Sequence, residues 1–270
     1  MFTKNRMRLK QFLDSKVALY NQPAFIEKDP ISIPHSFTKK QDIEISGLFA
    51  ATLAWGNRTT IINNCKKIVE RMDNKPYDFI LHHKDTDLKP FLHFAHRTFN
   101  TTDLLYFISF LQYHYQSHDS LEAAFVPGKQ YKDETVEQAL QIFQNYFFSI
   151  EHPERTRKPI ATPERNSACK RLNMYLRWMV RPPERAFSVR AGGDNKGVDF
   201  GIWGKIKPCQ LVCPLDVHVA RVAERLGLLD NIKSNWANAL HLTRQLRELN
   251  SKDPAIYDYA LFGLGIEERF

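Results

Sequence analysis

An all-α fold is the expectation for this chain, and three features predict it. Apolar residues recur at three- and four-residue spacing through most of the 270 residues, the pattern that gives a helix one buried stripe. Start signals stand where those stripes begin, and no alternating run of useful length lies beside a hairpin turn. In 43–72 the stripe is Ile45, Leu48, Phe49 and Leu53, then Ile61, Ile62, Ile68 and Val69, broken around Trp55-Gly56-Asn57. Segments 104–115, 136–150, 168–180, 217–226, 236–249 and 255–264 repeat the pattern. Asp133 ahead of Val136, Asn235 ahead of Trp236 and Asp253 ahead of Pro254 read as N-caps. Two stretches read as irregular, 152–166 and 181–208, the second holding Pro182-Pro183 and Gly192-Gly193.

Composition narrows the function classes. The length suits one large unit or two intimate lobes with a real core. Against 30 acidic residues stand 38 lysines and arginines, a formal charge of +8, which favours a polyanionic partner. No apolar run approaches the ~20 residues of a spanning helix, and Met1-Phe2-Thr3-Lys4-Asn5-Arg6 leads into no signal-peptide core. A cytoplasmic protein without membrane contact is the expectation. The four cysteines, Cys65, Cys169, Cys209 and Cys213, fit reduced thiols, and the single C-x3-C pair is a poor metal signature.

Two segments carry chemistry. In 214–227, Pro214 precedes Asp216, and Val217, Ala220, Val222, Ala223 and Leu226 then line one helical face. Asp216 therefore sits at an N-cap, its carboxylate facing free N–H groups and the positive end of the helix dipole. In 167–181, Leu172, Tyr175 or Leu176, and Met179 face inward, while Lys170 lies in the first turn, where a cation is electrostatically misplaced. That misplacement, with Arg165 and Arg171 nearby, favours a lowered ammonium pKa and hence a nucleophilic amine.

The wording of these segments resembles the helix-hairpin-helix DNA glycosylase superfamily. Pro214-Leu215-Asp216-Val217-His218 is similar to its Pro-Val-Asp-x-His helix start, whose aspartate is catalytic, and Lys170 with Asn173 looks like the lysine and asparagine that open its second hairpin helix. Segment 45–60 resembles the early helix and the turn that enters the duplex, placing Asn57 and Arg58 where a polar side chain fills the gap left by an extruded base. Asp258 to Gly265 looks like the last core helix, which contributes to the base pocket in archaeal 8-oxoguanine glycosylases. Over its length the chain resembles an uncharacterised bacterial family through its Cys169–Asn173, Arg177–Arg181 and Leu215–Val219 signatures. Two departures stand out: the glycine-rich hairpin is replaced by Thr162-Pro163-Glu164-Arg165-Asn166-Ser167-Ala168, and Leu215 replaces the usual Val or other small residue before the aspartate. The C-terminal four-cysteine iron–sulphur loop of many relatives is expected to be absent, since no cysteine follows Cys213.

The resemblance implies one 270-residue all-α unit with two lobes: a helical lobe at 43–150, hairpin and catalytic helices at 151–227, and 1–42 with 228–270 packed as the other lobe. The active cleft lies between lobes, with Lys170 and Asp216 on facing walls. It implies a glycosylase with abasic-site lyase activity on duplex DNA, acting on an oxidised purine in the nucleoid and needing no metal or organic cofactor. Ten cations in 155–190, with only Glu164 and Glu184 against them, suit phosphate contacts, and Arg165, Arg171, Arg177 and Arg181 are the candidates among them. Asp199, Phe200 and Trp203 are candidates for the base pocket with Asp258, because an aromatic ring stacks on an extruded base and a carboxylate accepts from a purine N–H. Phe200 and Trp203 read equally well as pins for a long loop. Two other classes remain open. One is a non-catalytic DNA-binding protein on the same frame, and the other a metal-dependent phosphohydrolase built around His118-Asp119.

Overall fold

The structure is a computed structural model that describes residues 6–183 and 197–270. It is mostly helical. In chain order the helices are α1 (Arg6–Tyr20), α2 (Pro23–Ile26), α3 (Lys40–Leu53), α4 (Arg58–Glu70), α5 (Pro76–His82) and α6 (Thr101–Tyr115). They continue as α7 (Glu122–Phe125), α8 (Glu137–Phe147), α9 (Lys170–Val180), α10 (Val217–Arg225), α11 (Trp236–Leu249) and α12 (Tyr257–Ile266). Two strands of two residues each, β1 (Ala95–His96) and β2 (Phe99–Asn100), form an antiparallel hairpin that the sequence reading passed over. Among the described residues no helix is long and apolar enough to cross a membrane.

Asn235 holds as a start signal, accepting from the Asn238 N–H at 2.9 Å ahead of α11, and the structure adds a cap at Asn57, which accepts from the Thr60 N–H at 3.1 Å ahead of α4. Asn100 and Asp103 cap α6 reciprocally, each side chain accepting from the other's end of the first turn. Asp253 and Asp133 are corrections. Asp253 makes no cap hydrogen bond, because its carboxylate is drawn into an ion pair with Arg181. Asp133 lies four residues before the start of α8, and its carbonyl accepts from the Gln210 amide at 2.7 Å.

The chain divides into two compact units. One comprises Met1–Phe25, Gln130–Leu140 and Thr162–Phe270, and the other Ile26–Lys129 and Gln141–Ala161. Helices α1, α9, α10 and α12 share the first unit, and the second holds α3 to α7. Its core is aromatic: Phe110 and Phe147 stand 4.4 Å apart between ring centres, Phe107 and Phe147 4.8 Å, and Phe125 stacks on Phe143 at 4.1 Å. A buried Glu44 accepts from the Tyr115 hydroxyl at 2.8 Å, the Leu121 N–H at 3.0 Å and the Ser120 hydroxyl, so its desolvation is offset by three donors.

In the first unit α1, unforeseen from its narrow Leu9–Leu13–Val17 stripe, packs on α12. The approach is close enough that a Cβ on Gly263 would stand 2.2 Å from the Tyr20 ring. Gly263→Ala is expected to force the two helices apart and to cost about 1–3 kcal/mol, as overpacking does. Thermal melting checks it: an unchanged midpoint would mean that the Tyr20 ring swings away freely.

Candidate active site around Lys170 and Asp216

Lys170 and Asp216 meet. The lysine Nζ stands 3.4 Å from Asp216 Oδ2, with the two side chains 25% and 22% exposed. Both are thus reachable from solvent, yet held against protein. Asp216 divides its carboxylate between two tasks. Oδ1 accepts from the His218 and Val219 N–H groups at 2.9 Å each, closing the start of α10, and Oδ2 is left for the lysine. The opposite charge that the α9 N-terminus cannot offer Lys170 is supplied by this carboxylate. Below the ammonium lies Phe262, its ring centre 5.9 Å from Nζ, half-buried on α12.

The turn before α9 explains how Lys170 is presented. Asn166 and Cys169 both take left-handed backbone conformations, at φ 53° and 48°. Those are conformations that glycine adopts most readily, and here the turn takes them with Asn166 and Cys169 instead. Asn173, buried on α9, fastens it by donating from Nδ2 to the Ala168 carbonyl at 3.0 Å. Burial pushes the Cys169 thiol up to about 12, with the Ser167 hydrogen bond pulling the other way, so the sulphur beside Lys170 stays protonated at neutral pH.

Beneath this pair runs a feature that sequence reasoning assigned elsewhere. Lys170, Arg177 and Arg181 are seven and four residues apart, which on a helix places them within about 40° of one another. Arg177 and Arg181 are buried, 4% and 2% exposed, so they are not phosphate contacts. Arg177 is ion-paired with Asp258 and lies 3.4 Å through Nε from Asp199. Arg181 binds Asp199 through Nη1 and Asp253 through Nη2, the latter at 2.8 Å. Both guanidiniums lie over the Tyr259 ring, at 4.3 Å and 5.6 Å. A buried arginine persists only when it is paired, and here Asp199 and Asp258, buried with the arginines, and the partly exposed Asp253 supply the partners.

Asp199 and Asp258 are corrected with them: each is buried and engaged by arginine, so neither offers a bare carboxylate to a base. Burial pushes the Asp258 carboxyl up to about 6, against the pull of Arg177 and Lys170 and with Asp216 and Asp199 adding to the rise. Arg181 is held more firmly protonated than usual, since burial works against its charge but Asp199 and Asp253 outweigh it. Trp203 is a loop pin: its ring is buried edge-on against Tyr175 at 5.4 Å, and its backbone N–H donates to the Met179 carbonyl at 3.0 Å. Phe200 is half-buried and its N–H donates to the Trp178 carbonyl at 2.8 Å. Together they satisfy two carbonyls of the last turn of α9.

The remaining candidates are dispersed. Arg165 is exposed on the turn before α9 and Arg171 is half-buried on α9 itself. Asn57 and Arg58 belong to the other unit, where Asn57 is exposed and spends its side-chain oxygen on capping α4. The 155–190 cluster is divided too. Arg155 is tied to buried Asp103 and Arg157 lies over Phe148, while Arg185 and Arg190 fall outside the described residues. His118 stacks on His114 at 4.7 Å, and burial lowers His114 to about 4. Among the described residues no three His, Cys, Asp or Glu side chains converge as a ligand set, so His118-Asp119 gains no partners for a metal.

Fold and site thus define a helical protein presenting the solvent-reachable Lys170–Asp216 pair above a buried ion network. The chain belongs to the family described as "Protein of unknown function (DUF2400)", whose model matches residues 29–267. No curated protein and no solved structure matches it.

Proposed function

We propose that this chain is a helix-hairpin-helix DNA glycosylase with associated abasic-site lyase activity, acting on duplex DNA that carries an oxidised purine. The observation that carries the reading is the 3.4 Å approach of Lys170 Nζ to Asp216 Oδ2 at a solvent-reachable position. Lysine and aspartate in this relation suit one chemistry well. The damaged base is extruded, the Lys170 amine attacks the anomeric carbon, and the bond to the base breaks. Asp216 stabilises the positive charge that develops on the sugar and assists removal of the ammonium proton. Loss of the ring oxygen's bond then gives a Schiff base, and β-elimination breaks the strand on its 3′ side.

Asp216 suits the role because its cap bonds fix the carboxylate without using Oδ2. Cationic Arg165 on the adjacent turn supports a polyanionic partner. With Arg177 and Arg181 buried, fewer phosphates are neutralised than the charge cluster suggests, so salt dependence should be moderate.

Incubation of the protein with duplexes carrying an abasic site or an 8-oxopurine tests the reading. Strand scission with β-elimination ends is the expected result, and affinity should fall as salt rises. Binding that responds to salt without any scission would favour the non-catalytic DNA-binding reading. A log–log salt slope near zero would remove nucleic acid as the partner.

A further inference from the structure

Helix α12 lies against both helices that carry the reactive pair, with a single face. Asp258, Phe262 and Gly265 are four and three residues apart, so they line one side of the helix. Asp258 is ion-paired with Arg177 of α9, and Phe262 lies under Lys170 at the start of the same helix. Gly265 lets α10 come close, since a Cβ there would stand 3.3 Å from His218 Cβ and Val222 Cγ2. The α10 helix is the one that Asp216 caps. One step before α12, Asp253 binds Arg181, so positions descending from 262 to 253 meet positions ascending from 170 to 181. The two arginine rungs thereby fix the register in which the third, Lys170 over Phe262, is set.

We propose that the Arg177–Asp258 ion pair is the clamp that holds Lys170 over Phe262 and beside Asp216, which makes Asp258 a positioning residue for the reactive lysine. The inference rests on the lyase reading for its readout. Burying this many charges stabilises a protein weakly compared with apolar packing, and registry is the best-attested use of such a cluster. Facing Asp258 are Arg177 and Lys170 from α9, Asp199 from the segment pinned to the end of α9, Asp216 ahead of α10, and the buried Cys213 thiol. The carboxylate is ionised above about pH 6 and takes a proton below it, and the protonated form gives Arg177 no counter-charge.

The test is the single-turnover rate of strand scission on an abasic duplex from about pH 5 to about pH 9, for the wild type and Asp258→Asn. The wild-type profile is expected to steepen by one proton below about pH 6. Asp258→Asn should lack that break and be about 10- to 100-fold slower at pH 7.5, the size of a misplaced reacting group, with duplex affinity within about twofold. A wild-type profile straight through pH 6, or an unchanged Asp258→Asn rate and profile, overturns the clamp. If the variant fails to fold, the wild-type profile decides alone. A wild type that never cleaves removes the lyase reading and the clamp together, whereas cleavage without the break removes only the clamp.

Discussion

Asp216→Asn is expected to slow base release and strand scission by about 10²- to 10³-fold while leaving the protein's melting temperature almost unchanged. The two effects separate because the two oxygens do different things. Asparagine keeps an oxygen where Oδ1 now accepts from His218 and Val219, so the cap survives. It removes the negative charge at Oδ2, which faces Lys170 and would face a cationic sugar. Charge stabilisation in a preorganised site is worth far more than in water, hence the large factor. Asp216→Ala should lose both, slowing the reaction comparably and costing about 0.5–2 kcal/mol of stability through the missing cap. Duplex binding should survive in both variants, or tighten, since a negative charge near phosphates is gone. An Asp216→Asn protein that releases base at the wild-type rate, beside an Asp216→Ala protein that merely melts earlier, would reduce the aspartate to a cap.

Much of this was legible in the sequence. Wherever a helix covers a core with one face, its period appears in the residues. Helices α3, α4, α6 and α8 to α12 are therefore readable, and Asn235 and Asp216 stand at their caps through local hydrogen bonding alone, as does Asn57, whose cap the sequence reading does not contain. Lys170 and Asp216 were named from local wording, 46 positions apart, although only the fold brings their atoms together. The burial of Arg177 and Arg181 escapes a local reading, because charge ordinarily marks a surface position. Arg177 sits between Tyr175-Leu176 and Trp178-Met179, with apolar neighbours on both sides, and that enclosure was the available signal of burial. Its spacing of seven from Lys170 and four from Arg181 was a second. What no local reading contains is the partner set: Asp199, Asp253 and Asp258 come from segments up to 81 positions away. Asp253 illustrates the competition, since its position reads as a cap but a buried guanidinium binds the carboxylate more strongly.

The second large effect concerns Lys170. The Lys170–Asp216 pair is partly exposed, and a pair of that kind contributes at most about 1 kcal/mol to folding. Lys170→Gln should therefore yield a folded protein that still binds duplex DNA. Its strand scission should fall by at least about 10³-fold, because removing the nucleophile removes the covalent path itself. The residual rate would report what positioning and Asp216 achieve without it.

The most direct measurement is borohydride reduction of the protein mixed with an abasic duplex, followed by mapping of the modified peptide. Reduction converts the Schiff base to a stable amine, so the attacking residue is recorded covalently. The expected result is one protein–DNA adduct whose cross-link maps to Lys170, present in the wild type and absent from Lys170→Gln and Lys170→Ala. An adduct that persists in both variants, or maps to another amine, would contradict the assignment of Lys170, and the absence of any adduct on a duplex the protein binds would contradict the lyase chemistry.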